Sequence, residues 1–297
     1  MTATIELNPE QLAHYREHGF VSLDQITSAA EVERLREIFD RLFASRAGWE
    51  KGAFLDLAGT DEKDRPTALP QILNPQQFAP ELLETEFRST ALRIGRQLLG
   101  PEAHVWFEHA IMKPPQIGAA TPWHQDEAHR SDREVDYEQI SIWMPLQEAT
   151  LENGCMQYLP GSHLGPILEH HSPNDDPRVS ALECVGPFDR ENAVTCPIPA
   201  GGATIHHCRT LHCAGPNSSG IPRRAYILAL RGPARPSLDA RPFPWIAEKR
   251  TAAGARQEAW DRRGGPLGCG IRKAVAATKT VLGRLRRAAS RLRQRGV

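Results

Sequence analysis

The sequence predicts a mainly β protein, a β-sandwich or barrel core carrying a layer of N-terminal helices. Three observations lead there. Helical apolar patterns dominate the first hundred residues. From about residue 104 the chain turns to short alternating runs punctuated by Gly, Pro and Asn. The composition, 40% hydrophobic and 24% charged over 297 residues, is that of an ordinary soluble domain large enough to bury a closed site.

Taken in order, residues 8–19 form a helix: Asn8 caps it, Pro9 takes its first position and Gly19 closes it. A short strand follows at 20–23. Residues 28–46 form a second helix, with Val32, Leu35, Ile38, Phe39 and Leu42 on one face. The Gly- and Pro-rich stretch 47–79 reads as loop, and 80–100 as a third helix ended by Gly100-Pro101. Residues 104–112 alternate, placing Val105, Phe107, His109 and Ile111 on one face of a strand, and 139–147 alternates likewise. Shorter strand runs lie at 155–159, 193–198, 202–207 and 225–231. Turn residues at 152–154, 160–162, 201–202 and 215–217 divide them. The β core thus spans about 104–232. Residues 233–265 read as a connector, with a short helix predicted at 245–262.

The formal net charge of zero conceals two parts. No acid follows Asp261, and nine Lys or Arg lie between Arg272 and Arg295; subtracting nine from 36 leaves 27 basic residues elsewhere against 36 acidic ones. An acidic body, 1–265, therefore precedes a basic tail, 266–297. Within the tail Ile271, Val275, Thr278, Leu282, Leu285, Ala289 and Leu292 form one stripe of an amphipathic helix. Two readings of 271–295 stand: a helix docked on the acidic body, or a surface helix contacting anionic membrane or a protein partner. Nucleic acid is not expected, because the segment has no aromatic residues. No secretory signal and no bilayer-length apolar run occur. The six cysteines form no CxxC pair, so free thiols are expected. The expected location is cytoplasmic, with membrane-peripheral attachment through the tail as the alternative.

Chemistry is concentrated in two places. His124 and Asp126 are two apart, and on extended backbone residues i and i+2 project to one side. An imidazole and a carboxylate can then converge on one point. A third ligand must come from elsewhere, and His212, just after the 202–207 strand, is the candidate. Two histidines and one carboxylate leave open positions, the arrangement of non-haem Fe(II) oxygenases. His206 and His207 also precede this loop; on a strand one faces inward and the other outward. His14, His18, His104, His163, His170 and His171 read as structural or solvated.

Several blocks together resemble the phytanoyl-CoA dioxygenase family of Fe(II)/2-oxoglutarate oxygenases: TPWHQD at 121–126, ISIWMPLQEATLENGCMQYLPGSHL at 140–164, AGGATIHHCRTLHCAGPNSSGIPRRAY at 200–226 and EQLAHYREHGFVSL at 10–23. The resemblance covers about 8–232. It implies a double-stranded β-helix (jelly-roll, cupin-like) core, and Fe(II) held by His124, Asp126 and His212. It implies 2-oxoglutarate as co-substrate with O2, and succinate and CO2 as by-products. Arg223, eleven residues after His212, corresponds to the arginine that pairs with the distal carboxylate of 2-oxoglutarate; its planar fork suits a carboxylate. Arg224 is the neighbouring alternative. Trp143, Gln125, Thr121 and His109 are further candidates for the co-substrate pocket. One departure stands out: the family often has Ser two residues after the distal histidine, where this chain has Ala214, and Thr121, Thr204 or a water is the expected replacement. Asp126 keeps the carboxylate that halide-binding relatives lack, which points to hydroxylation of a C–H bond. The same oxidant directed to desaturation, epoxidation or ring formation is the alternative within the class, and a non-catalytic metal-binding scaffold or binding module the alternative outside it. Mixed charges in 47–79, 127–138 and 170–179 favour a small polar metabolite or natural-product intermediate over a naked fatty acid.

Overall fold

The computed structural model describes residues 5–62, 65–131, 133–237 and 243–263. In chain order the elements are α1 (Pro9–His18), β1 (Phe20–Leu23), α2 (Ala29–Ala44), β2 (Phe54–Asp56), β3 (Pro70–Leu73), α3 (Glu86–Leu99), β4 (His104–Lys113), β5 (Thr121–His124), β6 (Val135–Asp136), β7 (Gln139–Pro145), β8 (Met156–Tyr158), β9 (His170–His171), β10 (Glu183–Cys184), β11 (Val194–Cys196), β12 (Ala203–His207), β13 (His212–Ala214), β14 (Arg223–Arg231), β15 (Arg235–Pro236), α4 (Pro244–Ala247) and α5 (Ala252–Arg263), with short 3-10 turns between them. The predicted helix of the basic tail lies outside the described residues.

The helices begin where capping chemistry allows. Asn8 and Gln11 form a reciprocal capping box at α1, and Gly19 closes that helix at a φ of 81°, a conformation glycine adopts without a Cβ penalty. The predicted 80–100 helix is instead split: a 3-10 turn covers Pro80–Glu84 and α3 starts afresh behind Thr85. Two acceptors explain the break. Thr85 caps α3 through the Arg88 amide, and the Glu31 carboxylate of α2 accepts the Glu86 and Phe87 amides at 2.6 and 2.8 Å, satisfying the exposed donors at the positive end of the helix.

Strands pair into a seven-stranded sheet, ordered β1-β12-β7-β14-β4-β3-β2, and a four-stranded sheet, ordered β11-β8-β13-β5, with two further two-stranded pairs, β10-β9 and β15-β6. Every pairing in the two larger sheets is antiparallel. The 47–79 stretch is therefore not all loop. It supplies β2 and β3, which extend the large sheet beside β4, so the sheet draws strands from well before residue 104.

Two apolar clusters divide the interior. One joins Leu35 and Phe39 of α2 and Phe87 of α3 to Ile142, Ile205 and Leu228 of the large sheet. The other joins Trp143, Ile111 and Ala225 of the large sheet to Met156, Tyr158 and Ala214 of the small one. Alternation sorts β7 accordingly: Ile140, Ile142 and Met144 belong to the first cluster and Trp143 to the second. The expected face of β4 holds from Phe107 to Ile111 but not at Val105. A β-bulge opposite Ala229 and Leu230 adds one residue to β4, and Val105 packs against the first cluster instead.

The segment after β15 straps across the loops. Trp245 Nε1 donates to the Ala128 carbonyl at 2.9 Å, Lys249 Nζ to those of Val179 and Ala181 at 2.6 Å, and Arg256 to those of Trp49 and Phe54 at 2.9 Å. No helix among the described residues is long and apolar enough to cross a membrane. All five described cysteines are free thiols.

Candidate metal centre

The small sheet brings the first two site residues together by register. His212, opening β13, lies directly opposite His124, closing β5. Directly opposed antiparallel residues share a face, and the two rings lie 4.2 Å apart. Asp126 follows after one extended residue, Gln125 (φ −117°, ψ 130°), and starts a 3-10 turn. The i, i+2 geometry thus survives past the end of the strand. One ligand atom from each of His124, Asp126 and His212 lies within 4.8 Å of the others, the only such trio of metal-binding side chains among the described residues.

Each of the three is oriented from behind. His124 Nδ1 bonds the Pro122 carbonyl and His212 Nδ1 the Thr210 carbonyl, both at 2.8 Å. A carbonyl only accepts, so both Nδ1 atoms carry the proton and both Nε2 lone pairs are free. Those Nε2 atoms face Asp126 Oδ1 at 3.7 and 3.5 Å. The other carboxylate oxygen, Oδ2, accepts from Ser141 Oγ at 2.5 Å and lies 3.2 Å from His206 Nε2. Burial lowers the pKa of His124, and that of His212 further. Burial alone would raise the Asp126 carboxyl, but His212, His206 and His124 outweigh it and hold the group well below the usual carboxylate range. Neutral imidazoles and an ionised carboxylate are the states in which these groups bind a divalent metal. Two nitrogens and one oxygen, with no fourth protein ligand among the described residues, fit Fe(II).

The candidate co-substrate residues divide. Arg223 is 1% exposed, and its Nε and Nη1 have no hydrogen-bond partner. Its guanidinium sits 5.3 Å from the Trp143 ring, and burial pushes its pKa down to about 9. Arg224 faces the other way and pairs with Asp40 at 2.5 Å. Thr121 lies opposite Ala214, 3.4 Å from Lys113 Nζ. Thr204 is occupied by the Tyr158 hydroxyl at 2.7 Å. Gln125 does not join the pocket. Its amide nitrogen donates to the Pro166 and Arg209 carbonyls, its oxygen accepts the Leu168 amide, and it is fully buried; every polar atom is spent on holding loops. His109 bonds Gln71, and burial drives its pKa down to about 4. His129, at the end of the Asp126 turn, has its ring 5.8 Å from that of His124 and a pKa that burial lowers to about 3. His129 is exposed and the Asp126 side chain keeps 23% exposure, so this edge of the site reaches solvent. A surface concavity of about 530 Å³ between α1, β1 and β11 contains none of these residues; donor geometry, not hollow size, locates the site.

Sequence reading passed over Lys113 and Ser141. Lys113 is fully buried, lies opposite Arg223 across the β4–β14 pair, and donates to the carbonyls of Ala119 and Ala214. The signal was present: Phe107, His109, Ile111 and Lys113 alternate on β4, and Ser141 and Trp143 on β7, marking an inward row with polar members.

Several known proteins are similar to this chain. The family model described as "Phytanoyl-CoA dioxygenase (PhyH)" matches residues 15–225. A probable alpha-ketoglutarate-dependent hypophosphite dioxygenase of Stutzerimonas stutzeri is 27% identical over 225 residues, 74% of this chain and 77% of that protein. Among solved structures, EvdO2 from Micromonospora carbonacea var. aurantiaca superposes with a TM-score of 0.71 at 41% identity, over 83% of this chain and 99% of that one. Its complex with 2-oxoglutarate gives 0.69 at 38% identity over the same shares. The non-heme alpha-ketoglutarate-dependent carbocyclase SnoK from nogalamycin biosynthesis gives 0.59 at 26% identity, over 78% and 88%.

Proposed function

The chain belongs to the phytanoyl-CoA dioxygenase family of Fe(II)/2-oxoglutarate-dependent oxygenases, and from that premise we propose that it hydroxylates an unactivated C–H bond of a small metabolite or natural-product intermediate, with release of succinate and CO2. The single observation that carries the reading is the convergence of His124, Asp126 and His212, in a domain that also buries an arginine with unpaired donors.

In this reading His124 and His212 hold iron through Nε2 and Asp126 through Oδ1. Bound iron, 2-oxoglutarate and O2 supply the oxidising chemistry, which no protein side chain provides. Arg223 takes the distal carboxylate through its fork, a charge-assisted contact in a site without competing water. Trp143 backs the guanidinium and fixes its plane. Lys113, its pKa held well below the usual lysine range by burial and by Arg223, adds a hydrogen-bond donor beside it. Thr121 stands where a hydroxyl is needed in the absence of Ser at Ala214. His109, held neutral by burial, offers a hydrogen bond to a polar substrate without a charge to desolvate. We read the two sheets sharing the inner apolar cluster as the double-stranded β-helix of a cupin-like domain, with the helices layered on the outer face of the larger sheet.

Similarity to a carbocyclase favours ring formation as the second reading. Anaerobic addition of Fe(II) and 2-oxoglutarate should give a weak visible charge-transfer band, and a metabolite panel should be scored by succinate. Product mass separates the readings: hydroxylation adds one oxygen, whereas ring closure removes two hydrogens. Absence of both band and succinate would overturn the oxygenase assignment for this site.

A further inference from the structure

We propose that His206 is a positioning residue, the last member of a hydrogen-bonded chain Thr204–Tyr158–His206 that fixes which oxygen of Asp126 faces the metal site. The inference rests on the metal-ligand reading above and concerns groups that reading does not use.

His206 is 3% exposed and lies directly opposite Ser141 across the β12–β7 pair. Both side chains therefore project to the same face, and both reach Asp126 Oδ2, Ser141 Oγ at 2.5 Å and His206 Nε2 at 3.2 Å. The second nitrogen, Nδ1, meets the Tyr158 hydroxyl at 3.1 Å, and that hydroxyl meets Thr204 Oγ1 at 2.7 Å. Tyr158 is fully buried and lies opposite His212 on the small sheet. The chain therefore spans both sheets and ends on a candidate ligand.

Donor and acceptor rules give the chain a direction. An ionised carboxylate only accepts, so His206 Nε2 carries a proton. In a neutral imidazole Nδ1 is then an acceptor, and the Tyr158 hydroxyl must donate to it. The Tyr158 oxygen is left to accept from Thr204. With two donors on Oδ2, Oδ1 is the oxygen turned toward His124 and His212 Nε2. His206 is thereby excluded as a ligand, since both its nitrogens are spent. A side chain serving only to fill space would need neither nitrogen.

The test uses the full chain. Nitrogen-15 NMR of the metal-free protein should show His206 as the Nε2–H tautomer, and Tyr158→Phe should keep that tautomer while shifting the Nδ1 resonance to that of an acceptor that has lost its hydrogen bond. In anaerobic Fe(II) and Co(II) titrations His206→Phe should bind about 10–100-fold more weakly, the usual effect of removing an outer hydrogen bond from a ligand. His206→Gln, whose amide can donate from a similar position, should recover most of the affinity. Tyr158→Phe should weaken binding in the same direction, and combining it with His206→Phe should add little to the latter alone. An Nδ1–H tautomer in the unmodified chain overturns the proposal, as does unchanged metal affinity in His206→Phe. Should His206→Phe fail to fold by circular dichroism, unchanged affinity in Tyr158→Phe overturns it instead. A native chain that binds neither metal refutes the underlying site reading, a result separate from any of these.

Discussion

Arg223→Met should do two opposite things at once. In the metal-free protein the guanidinium is 1% exposed with two nitrogens unpaired, and burial lowers its pKa from the ordinary arginine value to about 9. At about 1.4 kcal/mol per unit, that depression corresponds to roughly 5 kcal/mol of strain in the charged form, an upper bound. Methionine keeps much of the apolar stem and removes the charge, and replacing buried ions with apolar groups stabilises by about 1–4 kcal/mol. The melting temperature of the metal-free variant should rise, by about 2–4 °C for each kcal/mol recovered. Affinity for 2-oxoglutarate should fall, because truncating one partner of a buried charge pair costs about 2–5 kcal/mol, or about 30-fold to several thousand-fold. Thermal unfolding of the metal-free protein and anaerobic titration of the iron-loaded protein, followed at the charge-transfer band, measure the two effects. Arg224→Met is the control, since that side chain pairs with Asp40 on the opposite face; it should leave 2-oxoglutarate binding unchanged. A variant that is destabilised while binding 2-oxoglutarate normally would show that Arg223 is a structural cation and would refute the reasoning.

Asp126→Ala removes the only carboxylate of the trio and should abolish both tight Fe(II) binding, by anaerobic titration, and the charge-transfer band. Ala214→Ser places a hydroxyl two residues from His212 on the same strand face; at about 1 kcal/mol for one added hydrogen bond it should tighten 2-oxoglutarate about fivefold, and weaker binding would mean the space beside Lys113 is already filled. Stability should depend on pH through His170, whose pKa burial lowers from 6.5 to about 4. As pH falls through 6.5 the unfolded chain takes up this proton and the folded chain does not, so stability is fully present above 6.5, falls toward 4 and then levels. The loss from this group at pH 5.5 is about 1.4 kcal/mol. Urea unfolding at a series of pH values should show it, and His170→Gln should flatten the slope.

Much of this was legible from the sequence because the relevant signals are local. Asn8, Pro9 and Gly19 bound α1 through backbone chemistry that needs no distant partner. The His124, Asp126 spacing works on any extended backbone, and it survives although β5 ends at His124. The inward and outward split of His206 from His207 and of Arg223 from Arg224 follows from strand alternation alone: His206 meets Asp126 and His207 meets Glu138. What was illegible required a partner. β2 and β3 are three and four residues long, too short to show a period, and they exist as strands only because β4 is there to pair with them. The Val105 displacement depends on a bulge fixed by β14. Gln125 looked like a pocket residue because it sits between two candidate ligands, but a residue at i+1 on extended backbone faces away from both, and here it ties down the Pro166, Leu168 and Arg209 backbone.

The same distinction explains why the outer part of the candidate site was harder to find than its candidate ligands. Its polar groups enter as cross-strand pairs: His212 opposite His124, His206 opposite Ser141, Arg223 opposite Lys113. Each pair joins residues far apart in the chain, so one member carries no sign of the other. A one-residue slip in any of these registers would turn one member of the pair to the opposite face. Slipping β12 against β7 would take His206 from Asp126, and slipping β14 against β4 would bring Arg224 inward and send Arg223 toward Asp40. The apolar rows opposing this are Ile140, Ile142 and Met144 on β7, Ala203 and Ile205 on β12, and Tyr226, Leu228 and Leu230 on β14, all packed in the helix-side cluster. Burying those rows on one face leaves the polar row a single face to occupy. The helix-side core therefore does more than stabilise the sheet: it sets the register that points Asp126's partners, Arg223 and Lys113 into the same interior. A polar substitution in that outer row, such as Ile142→Thr, is expected to impair metal and 2-oxoglutarate binding without touching either site.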